Sequence, residues 1–92
     1  MRAVEFMMLA GTVADPTRLR ALFELGAGPR TVGQLAVATG VTQAAVSRHV
    51  QRMQEVGLVT AERRGRYTIV RRRERRWAVV ESVIASSAWE DT

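Results

Sequence analysis

Between Thr42 and Gly57 the side chains of Gln43, Ala44, Ser47, Arg48 and Gln51 recur at helical spacing on one face, opposite Val46, Val50 and Met53. A guanidinium can donate two parallel hydrogen bonds to a guanine edge, and a carboxamide can donate to and accept from adenine at once. A hydroxyl suits several base edges, and an alanine methyl can touch the methyl of thymine. An ordinary solvated helix face carries similar residues. Which meaning applies depends on the elements that hold this helix and on what stands beside it.

Those elements are marked by their ends. Thr42 supplies an N-cap and Gly57 a stop, with Val46, Val50, Met53 and Val56 at i, i+4, i+7 and i+10 forming the inward face. Just upstream, Thr31 and Gln34 have the spacing of a capping box, and Gly40 ends the short helix they open. Two helices joined by so tight a glycine-containing turn form a helix-turn-helix. Before them, Asp15 caps and Pro16 starts a helix to about Leu25, with Leu19, Leu22 and Phe23 inward and Arg18 and Glu24 outward. Residues 2–13 give a further helix with an apolar stripe of Val4, Met7, Met8 and Leu9. After Gly57 the period changes to alternation: LVTAER, a turn at Arg64 and Gly65, then RYTIVR. The helical period returns from about Glu74, with Trp77, Val80, Ile84 and Ala88 on one side and Val83 beside them. The expected fold is mainly α with a two-stranded β-wing: four helices, a hairpin and a last helix. At 92 residues the chain reads as one domain, residues 1–92, with the helix-turn-helix at about 31–57 and the wing at about 58–71.

Composition agrees with a polyanionic partner. Fourteen basic residues, all arginine, against nine acidic ones give a net charge of +5, and guanidinium matches phosphate and guanine edges better than ammonium does. The absence of cysteine excludes disulfides and thiolate metal sites. With one histidine and no phosphate loop, HExxH or paired-carboxylate motif, no nucleophile and base can be nominated, so an enzyme is not expected. No apolar stretch approaches the roughly 20 residues that span a bilayer. A soluble intracellular protein is expected.

Given a helix-turn-helix before it and a hairpin after it, the face Gln43, Ala44, Ser47, Arg48 and Gln51 is read as the base-reading surface of a helix laid in a major groove. Thr31, Thr42, His49 and Arg52 flank it as candidates for the DNA backbone, and His49 is expected at the helix boundary, bonding a backbone group or a phosphate. Arg63, Arg64 and Arg66 surround Gly65 at the wing tip and can reach phosphates or a narrow minor groove. The run Arg71, Arg72, Arg73, Arg75 and Arg76 leads into a helix N-terminus, where cations are disfavoured. It needs phosphate, Glu74, Glu81 or an acidic group of a second copy as compensation.

The segments ADPTRLRALFEL (14–25), TVGQLAVATGVTQAAVSRHVQRMQEVGLV (31–59) and ERRGRYTIV (62–70) together resemble the ArsR/SmtB family of bacterial winged-helix transcriptional regulators. The resemblance implies a homodimer built from the first and last helices, about 2–13 and 74–89, that binds an imperfect palindrome in promoter double-stranded DNA, usually as a repressor released by a signal. On that reading Val4, Met7, Met8, Trp77, Val80 and Ile84 form the dimer interface, with Trp89 a second aromatic anchor. Metal-responsive members carry cysteine pairs near the recognition helix, or histidine and carboxylate sets on the terminal helices. Here there is no cysteine, His49 stands alone, and the last helix offers only Glu81, Glu90 and Asp91, so neither a metal site nor a cofactor is assigned. The effector stays unspecified. A winged-helix module that binds a protein partner, and a metal-responsive repressor with an atypical carboxylate site, are the alternatives.

Overall fold

The computed structural model describes the backbone of residues 1–90 and side chains as far as residue 86. The expectations placed on Ala88, Trp89, Glu90 and Asp91 fall outside the described side chains. Five helices and three strands follow in order: α1 (Ala3–Val13), α2 (Pro16–Glu24), a 3-10 turn (Leu25–Ala27), β1 (Arg30–Thr31), α3 (Val32–Thr39), α4 (Gln43–Glu55), β2 (Val59–Arg64), β3 (Tyr67–Arg72) and α5 (Glu74–Glu90).

The helix starts are made by the expected side chains. Asp15 accepts from the Arg18 amide at 2.9 Å to open α2, and Pro16 sits in its first turn. At α3 the capping box closes in both directions: Thr31 Oγ1 accepts from the Gln34 amide at 3.1 Å, and Gln34 Oε1 accepts from the Thr31 amide at 2.9 Å. Gly40 then takes a left-handed φ of 76°, which reverses the chain in a turn too tight for a β-carbon to adopt cheaply. Thr42 Oγ1 accepts from the Ala45 amide at 3.1 Å to begin α4.

The sheet departs from expectation. It has three antiparallel strands in the order β1-β3-β2, because Arg30 and Thr31 pair with Val70 and Ile69 along the outer edge of β3. Two residues show no alternation to detect, and β1 exists only because β3 presents a free edge. The hairpin turn falls on Gly65 and Arg66, one residue later than expected. Gly65 has φ 59° while no non-glycine residue has positive φ, the pattern of a type II′ turn.

One core serves all layers. Leu9 of α1, Leu22 of α2, Leu35 of α3, Val46, Val50 and Met53 of α4, and Leu58, Val59 and Val70 around the hairpin are buried together with Trp77 and Val80 of α5. The burial of Trp77, at 3% exposure, corrects the expectation that it serves a second copy of the chain. Its ring meets Phe23 edge-on at 5.5 Å between centroids and lies under the guanidinium of Arg72 at 4.6 Å. Val80 is likewise buried within the protomer, where it belongs to the core and lines a groove between α1 and α5.

Candidate nucleic-acid interface

The inward residues of α4 are seated in the core, which fixes the rotation of the helix and turns Gln43, Ala44, Ser47, Arg48 and Gln51 out to solvent. Arg52 is exposed one turn further along. Thr31 and Thr42 both stand at helix N-termini, where each hydroxyl oxygen is engaged as a cap and its hydrogen remains able to donate. Gln43 is exposed but leans back: a β-carbon built on Gly33 would stand 3.5 Å from its amide nitrogen.

Between α4 and the wing lies a cleft of about 240 Å³, lined by Thr31, Val32, Gly33, Gln43, Ser47, Arg63, Arg66, Tyr67 and Thr68. It joins two expected residues of the helix face to two expected residues of the wing. Tyr67, Thr68 and Gly33 were not foreseen as members. The only signal for them was position, immediately after the wing turn and inside the α3 capping box. The hairpin brings the strands there, and no residue type announces it.

Each arginine at the wing tip has a partner within the hairpin. Arg63 Nε donates to the Gly65 carbonyl at 2.9 Å, Arg64 pairs with Glu62 at 3.2 Å, and the Arg66 guanidinium lies 5.7 Å from the centre of the Tyr67 ring. All are solvent-exposed contacts of the kind that contribute under about 1 kcal/mol, so a phosphate can displace them at low cost.

The arginine run divides by role. Arg72 is nearly buried, with a side chain 12% exposed. It grips both carboxylate oxygens of Glu74 at 2.9 Å, donates to the Leu22 carbonyl at 3.0 Å and covers Trp77. It ties β3 to the end of α2 and the start of α5, and its hydrogen bonds hold the Glu74 carboxyl below the usual carboxylate range. Arg76 pairs with Glu5 of α1 at 3.8 Å. Glu74 and Glu5 thus supply the compensation for these two arginines, while Arg71, Arg73 and Arg75 stay exposed.

Two expectations about single residues need correcting. Arg18 does not point away from the molecule: its Nε donates to the Thr12 carbonyl and its Nη1 lies 3.2 Å from His49 Nδ1. His49 sits at the helix boundary as expected, but its partner is this guanidinium, not a backbone group. The packing of α2 across α4 brings the two together over 31 residues of sequence.

On the opposite side of the protomer, α1 and α5 expose apolar surface. Val4, Met7 and Met8 are 65%, 69% and 56% exposed, and Ile84 is also open. Phe6, which sequence periodicity did not single out, lines the apolar groove between the two helices with Val83 and Ile84. Among the described residues no three His, Asp or Glu side chains converge as a metal site would require, and no helix is long and apolar enough to cross a membrane.

Comparison with known proteins gives this geometry its context. The MarR family model matches residues 15–66, from the start of α2 to the wing tip. The HTH-type transcriptional regulator CmtR of Mycobacterium tuberculosis is 36% identical over 90 residues, covering 98% of this chain and 70% of that protein. NmtR of the same organism, also an HTH-type transcriptional regulator, is 43% identical over 54 residues, 59% of this chain and 45% of its own length. Among solved structures, a homodimeric winged helix-turn-helix DNA-binding domain from Mycobacterium bovis superposes with a TM-score of 0.80 at 27% identity, over 91% of this chain and 79% of that one. The transcriptional repressor BigR from Xylella fastidiosa gives a TM-score of 0.77 at 26% identity, over 91% and 87%. The chain therefore belongs to the winged helix-turn-helix transcriptional regulators: the MarR family model covers its residues 15–66, and its relatives and structural neighbours make it a member of the ArsR/SmtB family.

Proposed function

We propose that the protein acts as a homodimeric repressor that reads an imperfect palindrome in promoter DNA, with residues 1–92 working as one domain in the bacterial cytoplasm. The observation that carries this reading is the exposed face Gln43, Ala44, Ser47, Arg48 and Gln51, whose Gln43 and Ser47 share one cleft with Arg63 and Arg66 of the wing. Laid in a major groove, α4 offers Arg48 to guanine, Gln43 and Gln51 to adenine, Ser47 to either kind of edge and Ala44 to a thymine methyl. Thr31, Thr42, Arg52 and the wing residues Arg63, Arg64 and Arg66 take the flanking phosphates. Such a protein binds and releases DNA and performs no catalysis.

The dimer is assigned to the apolar surface of α1 and α5, with Val4, Phe6, Met7, Met8, Val83 and Ile84 at the contact. A patch of that kind on a small domain marks an interaction surface. A twofold axis there places the two copies of α4 in successive major grooves, about 34 to 36 Å apart on one DNA face.

The test is selection of bound sequences from a random duplex pool, followed by affinity measurements at several salt concentrations. If a dimer neutralises about eight phosphates, log K falls against log salt with a slope of about −7. Arg48→Ala costs about 1 to 3 kcal/mol on the selected duplex and relaxes its base preference, whereas Arg64→Ala weakens selected and random duplexes alike. Equal losses on both duplexes for both variants would remove Arg48 from base reading. The same apolar surface also suits a module that binds a different protein. Undetectable, salt-insensitive DNA binding beside a stable hetero-complex would establish that reading instead.

A further inference from the structure

Three helices meet at one guanidinium. Arg18, in the first turn of α2, donates through Nε to the carbonyl of Thr12 at the end of α1 and places Nη1 3.2 Å from Nδ1 of His49 on α4. An arginine only donates, so this contact requires Nδ1 to accept, which means a neutral imidazole with its hydrogen on Nε2. His49 directly follows Arg48 and lies two residues from both Ser47 and Gln51.

We propose that Arg18 and His49 are positioning residues for base reading, and that a proton on His49 releases the helix face they hold. The inference rests on α4 reading base edges. Protonation turns Nδ1 from acceptor to donor and sets an imidazolium against a guanidinium, so attraction becomes repulsion. Among the described residues, the charges tied to this ring are Arg18 and Asp15, both from the N-terminal turn of α2. From α1 the Thr12 carbonyl joins through Arg18, and α4 itself adds Arg48 and Arg52 in the neighbouring positions. Asp15 keeps its negative charge while it caps α2 and attracts both cations, so it offsets part of the repulsion, but it does not restore the acceptor that Arg18 loses at Nδ1.

The core contacts of Val46, Val50 and Met53 do not depend on this bond, so α4 stays folded when it breaks. What is lost is the fixed setting of its outer face against α1 and α2. Bidentate base contacts demand that setting, whereas attraction to phosphate does not, and the added positive charge favours phosphate. Acidification therefore lowers sequence preference before it lowers binding. Because the link runs through the last turn of α1, it also connects the proposed dimer helix to the helix that reads DNA.

The experiment measures affinity for the selected duplex and for a random duplex by fluorescence anisotropy at constant ionic strength, from pH 8 to pH 5.5. The wild type is expected to lose about tenfold on the selected duplex, the size of one charge-assisted hydrogen bond, with no loss on the random one. His49→Asn puts an acceptor oxygen close to the position of Nδ1 without a titrating group, so it keeps the preference at pH 8 and shows a flat profile. Arg18→Lys, which cannot fork to both Thr12 and His49, lowers the preference at every pH. Ring-nitrogen NMR of the free wild type at pH 8 should show Nδ1 unprotonated. A preference that is equally flat in wild type and His49→Asn overturns the proposal, as does a pH-dependent loss that persists in His49→Asn or a ring protonated on Nδ1 at pH 8. Absence of any sequence preference at every pH overturns the base-reading assignment of α4, and this inference with it.

Discussion

Replacing Trp77 separates stability from association, two roles that its sequence position leaves confounded. The indole is 3% exposed, edge-on to Phe23 at 5.5 Å and covered by Arg72 at 4.6 Å, all within one protomer. Truncating a buried aromatic to alanine costs about 3 to 5 kcal/mol, and the lost ring pair and cation contact place Trp77→Ala in the upper half of that range, about 4 kcal/mol or more. A domain of this length has roughly 5 to 14 kcal/mol in all, so the variant stays folded only if the wild type lies above the bottom of that range. Trp77→Phe keeps the ring contact and serves as the milder companion. In urea, with a slope of about 1.5 kcal/mol per molar, the circular-dichroism midpoint of Trp77→Ala falls by about 3 M. Met7→Ala, at a side chain 69% exposed, leaves the protomer core intact and instead weakens association, read by sedimentation equilibrium. The reasoning fails if Trp77→Ala unfolds near the wild-type midpoint while its dimer dissociates more readily.

Two further outcomes follow from local geometry. The Asp15 carboxyl is held below the usual carboxylate range, chiefly by the amide of Arg18; a depressed native value means the stabilisation is complete at neutral pH and is lost as pH falls through it, so urea midpoints of wild type decline between about pH 5 and pH 2 and those of Asp15→Asn, which keeps the cap without the charge, decline less. A β-carbon on Gly65 would meet nothing within 4 Å, so the cost of Gly65→Ala is the left-handed φ of 59° alone; it should be about 1 kcal/mol, seen as a melting-temperature drop of roughly 4 to 8 °C, and an unchanged melting temperature would contradict the type II′ assignment of the turn.

Much of the candidate site was legible because its signals are local. The five outward residues of α4 follow from the 3.6-residue period once Val46, Val50 and Met53 are taken as core, and the structure exposes all five. Placing the wing beside them required only Gly57 and the change to alternation. The cleft itself was not legible, since Tyr67, Thr68 and Gly33 reach it through strand pairing and helix docking, neither of which leaves a mark at those positions. The arginines were the least readable group. Arg18, Arg72 and Arg64 look alike in sequence, yet one joins three helices, one straps the sheet to α5 and one lies on the surface.

By itself the sequence determined where α2, α3 and α4 begin and where α3 ends, because Asp15, Thr31, Gln34, Gly40 and Thr42 act on backbone groups within three or four residues of themselves. It also determined the helix-turn-helix and hairpin order, and with them the family. Only the tertiary structure decided that Arg30 and Thr31 add a third strand, that Trp77 turns into the protomer while Val83 and Ile84 turn outward, and that His49 meets Arg18. Each of those outcomes depends on which neighbour a side chain or strand edge finds across the fold. Periodicity along the chain gives a residue's face, and the packing of α1, α2 and α5 around α4 gives that face its partner.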